Sequence, residues 1–237
     1  MGRYDRQVPV FGQDGQERIM EARVAVAGCG GLGCNVIKDL VLAGVGSLRI
    51  IDHDTISESD LNRQFVYCGE SGNKVETIGR WIRIVSPDTD VEELDLMLTD
   101  DNAYAFADGC DVIVDCLDNN ASRLILNRAA VNAGVPLVHG GVESMFGQVT
   151  TVIPGATPCL CCFLGKGDAG TVPSVSAAVS VIASIQAAEV LKIITGTGTI
   201  LAGRLLTVDI GNGSFDEVAI KRREDCPCCG SYIRSSL

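Results

Sequence analysis

Residues 23–33 read Arg23-Val24-Ala25-Val26-Ala27-Gly28-Cys29-Gly30-Gly31-Leu32-Gly33. A short apolar run ends in glycines, and helical spacing begins at once, with Leu32, Val36, Ile37, Leu40 and Val41 on one face of segment 32–43. Strand, glycine turn and helix in that order make a phosphate-binding unit. Glycine lets the backbone turn tightly and lets phosphate oxygens approach the N–H groups, and the helix N-terminus adds a partial positive charge. A second apolar run, 47–51, ends at Asp52 about 20 residues on, where a carboxylate can bond ribose hydroxyls. By itself the unit indicates a nucleotide and nothing narrower.

Working outward, short apolar runs at 111–116 and 137–140 flank a segment with helical spacing at 123–133. Strands without polar alternation, separated by helices, predict a parallel sheet covered on both faces. The expected fold class is α/β: a Rossmann-like, mostly parallel sheet with helices on both faces. From Gln148 the pattern changes. A strand at 148–153 leads through Pro154, Gly155 and Pro158 into a cysteine cluster, then a glycine-rich loop (165–174), a helix (179–194) and a β-pair (204–209 and 216–220). We expect one domain over residues 1–237, with a nucleotide-binding half (1–147) and a second half (148–237) that is a β extension clipped by a metal.

The hydrophobic fraction of 46% supplies a sizeable core, filled by aliphatic residues because aromatics make up only 5%. A net charge of −11 leaves no excess of Lys or Arg to neutralise a phosphate backbone, so a general nucleic-acid binder is not expected. No signal peptide or membrane span is expected either. The most apolar stretch, 172–195, is interrupted by Pro173, several serines, Gln186, Glu189 and Lys192 and reads as a buried helix. Eleven cysteines without a secretory signal imply a reducing, cytoplasmic setting.

Basic residues narrow the nucleotide. Arg63 and Lys74 follow the second strand, and Asp118-Asn119 ends a later one, with Arg123 one helical turn beyond. Strand C-terminal ends share one crevice in a doubly wound sheet, so these residues should converge with Asp52 and the glycine turn. There Arg63 and Lys74 can neutralise phosphates, and a carboxylate can hold Mg2+ through oxygen. A hydride-transfer enzyme has no need of such cations, and Gly31 is not part of the usual dinucleotide pattern, so a nicotinamide-dependent oxidoreductase is the weaker reading. His53 and His139 are given no role.

Six cysteines form two clusters, Cys159-Leu160-Cys161-Cys162 and Cys226-Pro227-Cys228-Cys229. Two C-x-x-C turns supply four thiolates, a closed tetrahedral shell for structural Zn2+, from Cys159, Cys162, Cys226 and Cys229. Cys161 and Cys228 offer alternative registers, and an iron–sulfur cluster is the rival ligand. Cys29, Cys34, Cys68, Cys110 and Cys116 read as small core residues.

Residues 3–7, 12–16, 28–33, 43–46, 52–54, 61–64, 115–119, 184–189 and both cysteine pairs together resemble the MoeB/ThiF/HesA family, whose adenylating fold is shared with ubiquitin-activating enzymes. The resemblance spans nearly the whole chain. It implies a homodimeric adenylyltransferase that uses Mg-ATP to adenylate the C-terminal Gly-Gly carboxylate of a ubiquitin-like sulfur carrier, similar to MoaD or ThiS, in molybdopterin or thiamine synthesis. In that setting Gly28, Gly30, Gly31 and Gly33 would lie against phosphate and Asp52 against ribose. Arg63 and Lys74 would hold the phosphates, and Asp118 would coordinate Mg2+. Arg6 would reach into the partner subunit's site. Asp54, Asn62, Gln64, Asn119 and Arg123 would complete the nucleotide contacts, and residues 148–237 would receive the carrier.

Two features depart from the family. Asp60 stands where Asn is usual, and an extra carboxylate would repel phosphates unless it binds metal or faces away. The loop 165–176, where relatives that go beyond adenylation carry a reactive cysteine, has none. The chemistry is therefore expected to stop at the acyl-adenylate, with a separate sulfur donor. Rival readings are adenylation of a tRNA base or peptide, disfavoured by the cysteine pairs and the negative charge, and a non-catalytic nucleotide-binding protein.

Overall fold

β1 (Arg23–Ala27) runs through the middle of an eight-stranded sheet in the computed structural model, which describes residues 2–165 and 173–230. β2 (Ser47–Asp52) and β3 (Asp90–Asp95) lie to one side of it, and β4 (Val112–Asp115), β5 (Leu137–Glu143), β6 (Phe146–Val152), β7 (Arg204–Asp209) and β8 (Ser214–Ala219) follow on the other. The first five strands are parallel, and β5 to β8 pair antiparallel. This is the expected Rossmann-like, mostly parallel α/β sheet.

The continuous apolar strands follow from burial on both sides. Val24, Ala25, Val26 and Ala27, and likewise Val112, Ile113 and Val114, have no exposed surface. On one face Val24 and Val26 join a core with α2 (Gly31–Ala43), α3 (Lys74–Val85) and α6 (Ser176–Thr195). On the other, Ala25, Ala27 and Ile113 pack with α4 (Asp100–Ala107) and α5 (Asn120–Ala133), next to the cysteine clusters. α6 is long and apolar enough to cross a membrane, but it packs against α2, β5 and β6 as a core helix.

Several elements carry no clear sequence signal. α1 (Val8–Glu21) is broken by Gly12 at φ +75°. β3 reads Asp90-Val91-Glu92-Glu93-Leu94-Asp95, acidic because it is an edge strand; Arg49 and Arg83 bond Glu92 and Glu93 at 2.6 and 2.7 Å. β5 runs three residues past Gly140, because Gly141 and Val142 still pair with Gln148 and Gly147. The expected glycine-rich loop at 165–174 lies largely outside the described residues. Cys68 corrects the expectation for the scattered cysteines: it is exposed, while Cys29, Cys34, Cys110 and Cys116 are buried. Burial pushes the Cys34 thiol up to about 12 and those of Cys29 and Cys116 well above the ordinary value, so these groups stay neutral.

The chain crosses between β1 and β4. After β1 it turns through α2 to β2 on one side, and β4 occupies the other. That reversal opens a crevice at the C-terminal ends of the two strands. α2 can start immediately above β1 only because of Gly33, where a Cβ would sit 1.8 Å from the Gly28 carbonyl oxygen. A Cβ at Gly30 would meet only Gln64 Nε2, at 3.9 Å, an ordinary contact. Gly33→Ala is therefore expected to lower unfolding free energy by about 3 kcal/mol or more, against about 1 kcal/mol for Gly30→Ala, when the two are compared by denaturant unfolding.

Candidate functional site

The crevice is a cleft of about 820 Å³. The glycine turn, the ends of β2 and β4, segment 54–74 and the β5–β6 hairpin line it. Its floor is the N-terminus of α2, capped by Gly30 with no side-chain bond and no acidic residue in the first turn. That end leaves helix N–H groups and their partial positive charge facing the cleft.

Gly28 takes φ +93°, and a Cβ there would lie 2.6 Å from the Cys116 carbonyl oxygen. Asp52 braces the same turn: Oδ2 accepts from the Cys29 N–H at 2.6 Å and Oδ1 from the Asp54 N–H at 2.8 Å. Each oxygen keeps a lone pair for a further donor. The buried Tyr67 hydroxyl donates to the Cys29 carbonyl at 2.7 Å. Sequence reasoning missed Tyr67, which no motif marks.

Lys74 opens α3, whose cap is Asn73, with Oδ1 accepting from the Val75 and Glu76 N–H groups. Its ammonium is 3.1 Å from Asp54 Oδ2 and 3.5 Å from Asp60 Oδ2. Burial works to lower its pKa, but the Asp54 hydrogen bond and the charges of Asp54, Asp60 and Asp52 outweigh it and hold the amine above the ordinary lysine value. Lys74 is thus a buried, fully charged cation on the cleft wall.

Asp60 has an internal role. Oδ2 accepts from the Ser57 N–H and hydroxyl at 3.0 and 2.9 Å, and Oδ1 from Gln64 Nε2 at 2.8 Å, closing a capping box. Burial would raise its pKa, but the Ser57 bonds with Lys74 and Arg63 keep the carboxyl below its usual range. The lone pairs that would repel a phosphate are engaged by protein donors.

Arg63 lies across Gly31, with its Cγ 3.5 Å from where a Cβ would stand there, and donates to the Ser59 carbonyl at 2.6 Å and Asn62 Oδ1 at 2.9 Å. Asn62 itself does not line the cleft; it holds Arg63. Gln64 does line it, and its Oε1 is buried without a hydrogen-bond partner among the described residues, an acceptor suited to a ligand donor.

At the end of β4, Asp118 is exposed at the rim with Asn119 Nδ2 donating to its Oδ1 at 3.2 Å, and Asn119 Oδ1 caps α5 through the Ser122 N–H at 2.8 Å. Arg123 is turned back onto the Leu117 carbonyl at 2.7 Å and lies 3.9 Å from the buried Asp115. Behind it, His139 Nδ1 is 2.7 Å from Asp115 Oδ2, and Gln148 on the cleft wall reaches His139 Nε2 at 3.4 Å. Sequence reasoning left out this buried set, and also Leu96, Met97 and Leu98, an apolar run after β3 that supplies an apolar part of the wall. Arg6 is exposed and does not line this chain's cleft.

Cys159, Cys162, Cys226 and Cys229 are buried, with their four Sγ atoms within 4.8 Å of one another. The Cys159–Cys226 and Cys162–Cys229 separations of 3.7 and 3.5 Å are close to the edge of about 3.8 Å that a tetrahedron of Zn–S bonds requires. The set fits a closed structural metal site joining residues 159–162 to 226–229.

The ThiF family model matches residues 4–228. The chain is 35% identical to the SAMP-activating enzyme E1 of Haloferax volcanii, covering 97% of this chain and 89% of that protein. It is 36% identical to a sulfur carrier protein adenylyltransferase of Thermus thermophilus, covering 97% and 91%. Among solved structures, E. coli MccB superposes with a TM-score of 0.87 at 23% identity over 97% of this chain and 75% of that one, a likeness of fold.

Asp60→Ala removes one partner of a buried charge cluster and is expected to destabilise the chain by about 3 kcal/mol near neutral pH. The folded-state pKa of Asp60 is lowered, so its contribution is full above the unfolded value of about 4 and fades as pH falls through the folded value. Unfolding curves of wild type and variant should therefore converge in acid; a gap that does not change with pH would contradict the ionic role.

Proposed function

The chain belongs to the ThiF family, and from that premise we propose that it is an ATP-dependent adenylyltransferase acting on the C-terminal Gly-Gly carboxylate of a ubiquitin-like sulfur carrier, MoaD-like or ThiS-like. The carrier class follows relatives named as a sulfur carrier protein adenylyltransferase, a ThiS adenylyltransferase and a SAMP-activating enzyme. One observation carries the site: a buried lysine, held charged by its carboxylate neighbours, and an arginine flank a glycine turn whose helix N-terminus is uncapped by any side chain.

In the proposed arrangement ATP lies along the α2 N-terminus. Backbone N–H groups of Gly30 and Gly31 face its phosphates, and Asp52 takes the ribose. Lys74 and Arg63 neutralise the triphosphate. Arg63 needs little rearrangement, since Asn62 and the Ser59 carbonyl already hold its guanidinium at the cleft. Gln64, Asp54, Asn119 and Arg123 complete the wall, the last two chiefly by fixing the β4 end. The exposed Asp118 is the oxygen ligand suited to Mg2+, which would supply further positive charge. Arg6, which is exposed and does not line its own cleft, is assigned to the partner subunit's site in a homodimer.

A carboxylate is already ionised near neutral pH, so no general base is required. One carboxylate oxygen attacks the α-phosphorus, the bond to the bridging oxygen breaks, and pyrophosphate leaves with the electron pair. The chain's task is to bring two anions together and to stabilise charge on the departing pyrophosphate, which fixed cations and N–H dipoles do without reorganising. Residues 1–147 hold the nucleotide and 148–237 receive the carrier, with Zn2+ at the four cysteines tying the second half together. The reaction ends at the acyl-adenylate, and a separate donor supplies sulfur; we place it in the reducing cytoplasm.

Carrier-dependent ATP–pyrophosphate exchange is the direct test. Wild type should exchange label only with a Gly-Gly-tailed carrier. Asp118→Ala should lower exchange by about 100-fold or more while keeping the wild-type unfolding midpoint within a few degrees; Lys74→Ala should lower exchange as far and also lower the midpoint, because it leaves the buried Asp60 without its ammonium partner. Exchange that ignores the carrier, or a covalent carrier–enzyme adduct, would overturn the reading. Chelation of the cysteine-bound metal should lower the thermal midpoint and expose 226–229 to proteolysis, because a closed site contributes folding free energy.

A further inference from the structure

Four thiolates complete the site that joins the two C-x-x-C turns, yet six cysteines converge there. Cys161 and Cys228 occupy equivalent third positions of their turns, and the fold brings them together. The Sγ atoms of Cys159, Cys161 and Cys228 lie within 4.8 Å of one another, and Cys159 also belongs to the four-cysteine group. Cys161 and Cys228 are half-buried, so an ion can reach them from solvent.

Asn127 on α5 supplies an independent observation. It has no exposed surface, and its Nδ2 donates to Cys161 Sγ at 3.4 Å and to Cys228 Sγ at 3.2 Å, while Oδ1 accepts from the Leu160 N–H at 2.9 Å. Nδ2 serves the two sulfurs, and Oδ1 anchors the first cysteine turn through Leu160. A thiol sulfur is a weak acceptor, and burying an amide NH2 against two of them leaves its lost hydration poorly offset. Metal-bound thiolates are strong acceptors, and donors of this kind are the usual outer support of a metal site.

We propose that Cys159, Cys161 and Cys228 form a second thiolate metal site, sharing the Cys159 sulfur with the four-cysteine site and taking a soft d10 cation such as Zn2+ or Cd2+. Three thiolates leave one position of a tetrahedral ion open, unlike the closed neighbouring site. The proposal concerns metal content and is independent of the adenylation reaction.

The test uses the full chain, purified and kept reduced without oxygen, and loaded with 113Cd2+. Two cadmium ions per chain are expected, giving two resonances with scalar coupling through the shared sulfur. The Cys161→Ser/Cys228→Ser double variant should bind one ion and give one uncoupled resonance, with its thermal midpoint within a few degrees of wild type. One ion in the wild type, two resonances without coupling, or a Cys161–Cys228 disulfide seen as the loss of two hydrogens by mass would each overturn the proposal. If the double variant does not fold, the coupling in wild type decides.

Discussion

The Gly28 carbonyl oxygen occupies the space that a side chain on Gly33 would need, 1.8 Å from its Cβ position. This close approach lets α2 begin directly over the end of β1, with only the turn 28–30 between them. Everything in the cleft is measured from that junction. The uncapped helix end faces the crevice, Arg63 packs over Gly31, and Cys116 at the end of β4 closes against Gly28. Asp52 and Tyr67 then bond the Cys29 backbone from two sides, so the turn is fixed before any ligand arrives.

Electrostatics around the turn are arranged with the same economy. A nucleotide site needs cations, and a buried cation needs partners. Lys74 has Asp54 and Asp60 at 3.1 and 3.5 Å, and Asp60 in turn is held by Ser57 and Gln64. The carboxylates keep the ammonium charged in a desolvated position, while the Ser57 bonds keep Asp60 ionised. Asp60, which looks out of place beside phosphates in the sequence, belongs to the scaffold that holds the lysine. On the opposite side, Asp115, His139 and Arg123 fix the β4 end in a similar way and leave Asp118 exposed at the rim.

The far half of the chain is organised by its cysteines. Residues 159–162 follow β6 and residues 226–229 follow β8, so the buried cysteine cluster brings together two segments that the sheet alone would leave apart. The cluster also belongs to the core that contains α5, through Asn127 and Leu160. α5 starts at the Asn119 cap on the cleft rim. One helix therefore links the cysteine cluster to the candidate nucleotide site.

The sequence by itself determined the β1–turn–α2 unit, the apolar parallel strands, the two C-x-x-C pairs and the residue types of the cleft. Each is local: hydrophobic period, glycine placement and cysteine spacing are written along the chain. It did not reveal β3, whose acidic edge hides its strand character, or α1, which Gly12 breaks. Nor did it reveal Tyr67, the Asp115–His139 pair or the Leu96–Leu98 wall, because their significance comes from partners far away in the chain. The same holds for the division of labour among candidate residues. Only the tertiary structure decided that Asn62 supports Arg63 from outside the cleft, that Asp60 faces its own capping box, and that Cys161 and Cys228 meet at Asn127. Side-chain direction depends on what packs beside it, and that is set when distant strands are brought into register.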